Sequence, residues 1–429
     1  MLTFASTRIL SRANAVRRRF CITSISALFL ATTVACSDQT DGVVLGLYKF
    51  QENYFGDVVA RCNEAAAGRY TIEVHVLPRA ADGQREQLVR RLAARDESMD
   101  ILGLDVTWIA EFAEAGWILP WTGADSVAAV EGLLPGPLAT MTWEDTVFAV
   151  ASHTNVQLLW YRSDLVPDPP ETWDEMLDIA DSLAAAGAPH VIAFTGAQYE
   201  GLVVGFNTLV ESFGGTLLSD DGTRSAVDER TVRALELLRR FATSAGASPA
   251  LGNSHEAEAQ AQMENGYAAF ELNWPYVAAA MRENNPAMVD DFAFTTYPAV
   301  VPGQPARVTT GGLDYAVGAY SRQPEFAREA ILCLRSRENQ KFMMLNNGTP
   351  PSFRSLYDDP SLKAAYPMLD VIRETLDRAV SRPKTPFYQN VSTVVADVLS
   401  PLDRIDPSET AKELDERIQA ALESRGLLP

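Results

Sequence analysis

The sequence predicts an α/β protein that is built as two lobes. Strand and helix patterns alternate from Val43 onward, which is typical of βαβ units and a mostly parallel sheet covered on both faces. The chain has 429 residues, 47% of them hydrophobic, and this size suits two compact domains better than one. Two short strand patterns, over residues 146–152 and 156–162, indicate a crossing from one lobe to the other.

Polar side chains follow the first strands of the predicted sheet. The patterns of strand, helix, strand, helix and strand begin in turn at Val43, Tyr54, Tyr70, Arg85 and Met99. In such sheets, ligands bind beyond the carboxyl ends of the strands. Glu52 and Asn53 follow the first strand and Asp105 follows the third, so these three residues are expected at one shared edge.

The second lobe begins after the crossing, where Asn155 lies between the two crossing strands. Thr172 and Glu175 have the spacing of a capping box, which predicts the start of a helix. Further strand and helix patterns lead towards residue 267.

One strand exit in the second lobe carries a carboxylate, an amide and an indole. The apolar pattern from Tyr267 ends with Glu271, Asn273 and Trp274, and Pro275 then begins the next predicted helix. Alternation along the strand puts Glu271 and Asn273 on the same side. The sequence leaves open which of the two faces a binding cleft.

The C-terminal third of the chain returns to a strand pattern and then becomes mostly helical. The strand pattern contains Gly311 and Gly312, and one long helix is predicted over residues 324–347.

The N-terminus has the composition of an export signal. A basic region that ends at Arg19 precedes an uncharged segment, and that segment is too short for a comfortable membrane-spanning helix. The residues around Cys36 resemble a bacterial lipobox. We therefore expect residues 1–35 to be removed by a Sec or twin-arginine route. Residues 36–41 would form a lipidated tether on the extracytoplasmic face of the plasma membrane.

The charge and the motif content argue against several classes of function. The formal net charge is −20, and the five arginines of the leader make the rest of the chain more negative, which disfavours a nucleic-acid partner. The four histidines are too far apart in sequence for a metal site, and no phosphate-binding loop or nucleophile elbow is present. We expect no metal, no cofactor and no enzymatic activity. A secreted glycoside hydrolase that uses two of the many carboxylates is the alternative.

Two cysteines remain in the body of the protein after the leader and the lipobox. Cys62 and Cys333 both lie in helical patterns, and an exported protein meets an oxidising compartment. We predict that they form a disulfide. The alternative is two buried free thiols.

The candidate site consists of polar and aromatic residues at strand exits and turns. They are Glu52, Asn53, Asp105, Asn155, Glu271, Asn273, Trp274, Arg382 and Tyr388. Acids and amides suit vicinal hydroxyl groups, and an indole matches the apolar face of a sugar ring. The alternatives are that Trp274 packs in a core, Asp105 caps a helix, Asn155 is a turn residue and Arg382 is an ordinary surface residue.

The segments LDVTWIAEFAEAGWILPW, FELNWPYV, TTGGLDYAV and GTPPSFRSLYDDP resemble the sugar-binding proteins of bacterial ABC importers, the maltose-binding protein family. NWPYV and RPKTPFYQ look most like the trehalose-binding lipoproteins of actinobacteria. The resemblance implies a two-lobed periplasmic-binding-protein-like fold with hinge crossings and a sugar cleft. Lobe 1 would comprise 42–153 and 306–354, and lobe 2 would comprise 154–305 and 355–429. Cys62 would then lie in the same lobe as Cys333.

The resemblance also implies a role for individual residues. Implied sugar contacts are Glu52, Asn53, Asp105, Asn155, Glu256, Trp274, Gly311, Gly312 and Arg382. The implied partners are a disaccharide and ABC permease subunits with their cytoplasmic ATPase, and the protein would act as a monomer. Trehalose is the expected sugar, with maltose-type or other glycosides as alternatives. A surface interaction module without a ligand is an alternative from another class.

Overall fold

The structure is a computed structural model that describes residues 42–425. The predicted export signal, the lipidation site Cys36 and the tether of residues 36–41 lie outside the described residues. Between residues 42 and 425, no helix combines the length and the apolar character needed to cross a membrane.

The strands form two main sheets and one small hairpin. In chain order the strands are β1 Val43–Phe50, β2 Tyr70–Leu77, β3 Ile101–Asp105, β4 Thr142–Trp143, β5 Thr146–Val147, β6 Val150–Asn155, β7 Leu158–Arg162, β8 Val191–Ala193, β9 Ala268–Asn273, β10 Phe292–Thr295 and β11 Gly311–Val317. The first sheet has the order β2-β1-β3-β11-β6 and the second has the order β10-β7-β9-β8. Strands β4 and β5 pair with each other.

Helices cover these sheets. They are α1 Phe55–Ala65, α2 Ala81–Ala93, α3 Ile109–Glu114, α4 Gly123–Val130, α5 Pro135–Thr140, α6 Trp173–Ala185, α7 Glu200–Ser212, α8 Glu229–Ala242, α9 Glu256–Glu264, α10 Val277–Asn284, α11 Pro324–Leu334, α12 Arg337–Asn347, α13 Pro360–Ala365, α14 Leu369–Arg378, α15 Tyr388–Leu399 and α16 Pro407–Leu422. Short 3₁₀ turns are Leu251–Asn253, Pro286–Asp291, Arg354–Asp358 and Leu402–Arg404.

Both faces of the first sheet are buried. Helices α1 and α11 cover one face, with Val58 and Ile331 in that core. Helices α2 and α3 cover the other face, with Leu88 and Phe112 inside. The second sheet has a larger core of its own, to which α6, α7, α8, α15 and α16 contribute.

The expectation of a mostly parallel sheet is correct only for part of the chain. Strand β1 pairs in parallel with β2 and β3, and β8 pairs in parallel with β9. Strand β11 runs antiparallel to both β3 and β6, and β7 runs antiparallel to β9 and β10. The expectation fails there because the chain enters β11 from the edge at which β3 and β6 end.

The predicted disulfide is present and joins two helices of one core. Cys62 in α1 and Cys333 in α11 are bonded, with an S–S distance of 2.05 Å and a Cα–Cα distance of 5.8 Å. The bond closes a sequence separation of 271 residues, so it ties the first helix to a segment that follows the second sheet.

Several helix starts differ from the sequence-based expectation, and α2 begins at Ala81, before the predicted Arg85. The long helix over 324–347 is two helices, because the hydroxyl of Ser336 accepts a hydrogen bond from the Asn339 amide at 3.3 Å and caps α12. Helix α10 begins at Val277 instead of Pro275, after a tight turn. The capping box of Thr172 and Glu175 is confirmed.

Candidate functional site

The candidate site begins where three strands of the first sheet share an edge. Strands β3 and β6 end at this edge and β11 begins there. The register shows this, since Gly311 is opposite Asn155 and Leu313 is opposite Asp105. Asn155 is therefore the last residue of a strand and not a turn residue.

The second sheet presents its own edge to the same region. Only Val156 and Gln157 connect β6 to β7, so the chain crosses at once from one sheet to the other. Leu158 at the start of β7 is opposite Asn273 at the end of β9. Trp274 follows directly, so it leaves the second sheet beside the point where the chain crosses.

The Trp274 ring and the Asn155 side chain both lie close to Gly311 at this junction. A Cβ atom built on Gly311 would lie 2.8 Å from Cη2 and 2.9 Å from Cζ3 of Trp274, and 3.5 Å from Cβ of Asn155. The indole is only partly buried, which disfavours the alternative that Trp274 is a core residue. Glycine at position 311 leaves room for the ring.

The amide of Asn155 carries an uncommitted acceptor. Its Oδ1 atom is buried, and no donor within residues 42–425 reaches it. A buried acceptor without a donor is costly, so this atom is well suited to a ligand hydroxyl. The neighbouring Gly312 has a φ of 141°, and a Cβ there would lie 2.6 Å from the carbonyl oxygen of His153. Glycine at 312 is therefore required by the backbone.

Asp105 lies at the end of β3, and one oxygen of its carboxylate has three donors. Oδ1 accepts hydrogen bonds from the Thr107 amide at 3.0 Å, the Thr107 hydroxyl at 2.8 Å and Arg382 Nη2 at 3.0 Å. The following helix begins only at Ile109, and Asp105 does not cap it. Asp105 therefore stabilises a turn and holds an arginine.

Arg382 is a buried cation and not a surface residue. Only 2% of its side chain is exposed, and it forms ion pairs with Asp105 of the first sheet and with Glu200 at the start of α7. Burial alone would lower the pKa of Arg382, but the two carboxylates outweigh it and raise the pKa. No acceptor in the described part of the chain reaches its buried Nε atom.

Glu200 holds Arg382 together with Tyr388. Its carboxylate accepts hydrogen bonds from Arg382, from the Tyr388 hydroxyl at 2.7 Å and from the Ser392 hydroxyl. Burial raises the pKa of Glu200, and the Arg382 charge opposes that shift. Tyr388 is buried at the start of α15, so its hydroxyl serves Glu200.

The sequence-based prediction missed Glu200, although a signal was present. Helix α7 is apolar on nearly every side, and most of its residues are buried. An acid at the start of such a helix must be paired with a cation if it is buried as well. A search for that cation would have pointed to Arg382.

Glu256 is the first residue of α9, and a tyrosine orients its side chain. The Tyr199 hydroxyl donates a hydrogen bond to Oε2 of Glu256 at 2.6 Å. Asn273 donates a hydrogen bond to the backbone oxygen of Glu256 at 3.0 Å. Glu271 and Asn273 are 1% and 0% exposed and bond to each other, so both side chains lie in the protein interior.

Glu52 and Asn53 follow β1, but their surroundings differ. Asn53 is exposed, whereas Glu52 forms an ion pair with the fully buried Lys49, which also lies 4.3 Å from the ring of Phe50 and 4.5 Å from that of Phe55. Burial would raise the pKa of Glu52, but the Lys49 charge overcomes it and lowers the pKa. Glu52 is therefore committed to Lys49.

The site offers polar groups and an aromatic ring, and several of its charges form ion pairs: Arg382 with Asp105 and Glu200, and Lys49 with Glu52. Within the described chain, no group of three or more His, Cys, Asp or Glu side chains is arranged to hold a metal ion. The groups available to a ligand include the Asn155 Oδ1 atom, the Arg382 Nε atom and the partly exposed Trp274 ring.

Comparisons with known proteins bear on the fold and on this site. A curated relative from Deinococcus radiodurans, whose name describes an ABC transporter-binding protein, is 27% identical over 326 residues, or 73% of this chain and 77% of the relative. The maltose-bound MalE3 of T. maritima superposes with a TM-score of 0.81 at 25% identity, over 88% of this chain and 99% of that chain. The GacH receptor of Streptomyces glaucescens, solved unliganded and with acarbose, gives a TM-score of 0.78 at 18% identity, over 90% and 100%.

These structural matches confirm the predicted two-lobed α/β fold of the maltose-binding type. Residues 59–341, well over half of the chain, match the family model described as bacterial extracellular solute-binding protein. The chain therefore belongs to the bacterial extracellular solute-binding proteins. Members of this family bind solutes outside the cytoplasm for transport and are not enzymes.

Proposed function

We propose that this protein captures a disaccharide, with trehalose as the first candidate, in a cleft between its two lobes and delivers it to an ABC permease. The observation that supports this most directly is the junction of Trp274, Gly311 and Asn155, where the edges of the two sheets meet. The partly exposed indole suits the apolar face of a pyranose ring. The buried Asn155 oxygen suits a sugar hydroxyl.

Further polar contacts come from both sheets. Asp105 of the first sheet and Glu256 beside the second are held by other side chains, so their carboxylates are oriented before the sugar arrives. Arg382 has one buried nitrogen that no described residue accepts from. Asn53, Gly311 and Gly312 complete the proposed contacts, while Glu52 and Tyr388 act through their partners Lys49 and Glu200.

Closure is the proposed mechanism of delivery. A ligand that contacts both lobes binds the closed state more tightly, so it shifts the protein towards that state, which is presented to the permease. We propose the lobes as 42–153 with 306–354, and 154–305 with 355–429. We also propose that the protein acts as a monomer, anchored through lipid on Cys36, with the cytoplasmic ATPase driving its permease.

Calorimetric titration tests the function. The exported protein is titrated in parallel with trehalose, maltose and sucrose. Micromolar or tighter binding of trehalose alone supports the proposal, and binding of maltose would replace the sugar, which is a real alternative because the T. maritima relative is maltose-bound. Heat from none of the three would refute disaccharide capture as stated.

A matched pair of tryptophan substitutions tests the stacking role. Trp274→Ala should weaken sugar binding by about 1.5–3 kcal/mol, the scale of burying a large apolar side chain. Trp143→Ala, in the β4–β5 hairpin, should leave the affinity unchanged. If both variants bind as tightly as the wild type, the indole of Trp274 does not contact the sugar.

A further inference from the structure

Every polar group of the Asn273 side chain has a partner. Its Oδ1 atom accepts a hydrogen bond from the Trp274 amide at 2.8 Å. Its Nδ2 atom donates to the Glu256 backbone oxygen at 3.0 Å and to Glu271 Oε1 at 2.7 Å. The Asn273 backbone oxygen also accepts from Trp160 Nε1 at 3.0 Å. One buried residue therefore connects three segments of the second lobe.

The amide of Asn273 joins two proposed sugar contacts that come from different elements. Trp274 follows strand β9, whereas Glu256 begins helix α9. The orientation of the amide is unambiguous, because Nδ2 faces two acceptors and Oδ1 faces a backbone donor. Turning the amide over would break all three hydrogen bonds.

Glu271 fixes this orientation of the Asn273 amide by accepting one of its hydrogen bonds. It lies in the interior of the second sheet, with Trp160 of β7 on one side and Ala193 of β8 on the other. Its Oε1 atom accepts from Asn273, and no described side chain or backbone group donates to its buried Oε2 atom. A carboxyl group at this place is costly to bury, so packing alone does not explain it.

We propose that Asn273 and Glu271 are positioning residues that set the distance between Trp274 and Glu256, and that neither touches the sugar. This inference rests on the proposed function and revises the sequence-based expectation that Glu271 is a sugar contact. The Asn273 side chain bonds to the backbone of Trp274 and to the backbone of Glu256, and Glu271 fixes the Asn273 amide. Affinity should then depend on Glu271 as a hydrogen-bond acceptor and not on its charge.

Two substitutions of similar size separate these roles. Glu271→Gln keeps an acceptor oxygen, so it should bind the sugar within about twofold of the wild type. Glu271→Leu removes the acceptor that fixes the Asn273 amide, so Trp274 and Glu256 lose their set spacing and affinity should fall about tenfold. The melting temperature of Glu271→Leu should stay close to that of the wild type, because no longer burying a carboxyl group offsets the unpaired Asn273 donor. A residue with only a structural role would lower affinity and melting temperature together.

Adding Glu271→Leu to a variant that lacks both contacts checks whether the loss of affinity depends on those contacts. In a background that carries Trp274→Ala and Glu256→Ala, Glu271→Leu should cause no further loss of affinity. A tenfold loss that persists in that background would overturn the proposal. Equal weakening by Glu271→Gln and Glu271→Leu would also overturn it, since it would indicate direct contact between the carboxylate and the sugar.

Fluorine NMR provides a readout that needs no sugar. The full chain, exported from a bacterial host and labelled with 5-fluorotryptophan, has seven tryptophan signals, and Trp274→Phe assigns the relevant one. Glu271→Leu should shift or broaden the Trp274 signal, whereas Glu271→Gln and the signal of Trp117 should stay close to the wild type. An unmoved Trp274 signal in Glu271→Leu would refute the positioning role, even if the protein binds none of the tested sugars.

Discussion

Replacing Gly311 with alanine tests whether the position of the Trp274 ring determines sugar affinity. The new Cβ atom would lie 2.8 and 2.9 Å from two carbons at the outer edge of that ring. Non-bonded carbons pack at about 3.5–4.0 Å, so the ring must move by roughly 1 Å or turn away from its rotamer. The backbone itself tolerates alanine, because Gly311 is not in the left-handed region.

The magnitude follows from these two responses of the ring. A side chain turned about 30° from its rotamer costs about 0.5–1.5 kcal/mol, and loss of the whole ring–sugar contact costs about 1.5–3 kcal/mol. Affinity for the tightest-binding sugar should therefore fall by about 2- to 10-fold if the ring only turns, and by about 10- to 150-fold if the ring–sugar contact is lost. The melting temperature should change little, since the ring is partly exposed and is not part of a core.

Titration calorimetry and a thermal melt measure the two quantities on the same preparation. Gly56→Ala is the matched control, because Gly56 lies in α1 and a Cβ there meets no atom within 4 Å. The control should bind as the wild type does. If Gly311→Ala folds and also binds as the wild type does, the contact between Gly311 and the ring does not set the affinity, and the reasoning is wrong.

Two further substitutions address buried acids outside that contact. Glu200→Leu leaves the buried Arg382 with one carboxylate instead of two, so the free energy of unfolding in urea should fall by about 3–5 kcal/mol. Glu229 is exposed in α8, and a fall no larger than that of Glu229→Leu would contradict the pairing. Asp314 is fully buried, and burial raises its pKa to about 8. A raised folded-state pKa means that wild-type stability falls as pH rises from about 4 to 8, by up to about 1.4 kcal/mol per unit, and Asp314→Asn removes this term. The stability of Asp314→Asn relative to the wild type should therefore increase from pH 5 to pH 8 in urea unfolding, and parallel pH profiles would rule out that titration.

Hydrophobic patterning predicted the elements of the first sheet well. The strands β1 and β2 begin at the predicted residues, Val43 and Tyr70, because their apolar patterns and the turns between them are local in sequence. The direction of β11 was not predictable in this way, since it depends on the edge at which the chain returns. The break at Ser336 was missed because the helical pattern continues through it on both sides.

The shared edge of the candidate site followed from strand exits, but the pairing of its side chains did not. Asp105, Asn155 and Gly311 meet because strand direction places them together. Arg382 and Glu200 are 182 residues apart, and no local pattern relates them. Sequence reasoning therefore counted as free contacts several groups that the fold pairs with one another.

Sugar specificity should arise from side chains that the fold leaves unpaired and not from those that it pairs. A side chain that already satisfies its neighbours can hold a contact in place, but it offers few new hydrogen bonds to a hydroxyl group. Asp105 is intermediate: three donors fix Oδ1, and within residues 42–425 the hydrogen bonds to this carboxylate all involve that atom. Its Oδ2 atom is therefore an acceptor with a fixed direction, which in the proposed site would read the geometry of a sugar hydroxyl at little entropic cost. Asn155 lies at the end of β6, which β11 separates from β3, and its Oδ1 atom would be the second acceptor of the proposed site. We expect the spacing of these two acceptors to select one disaccharide over another.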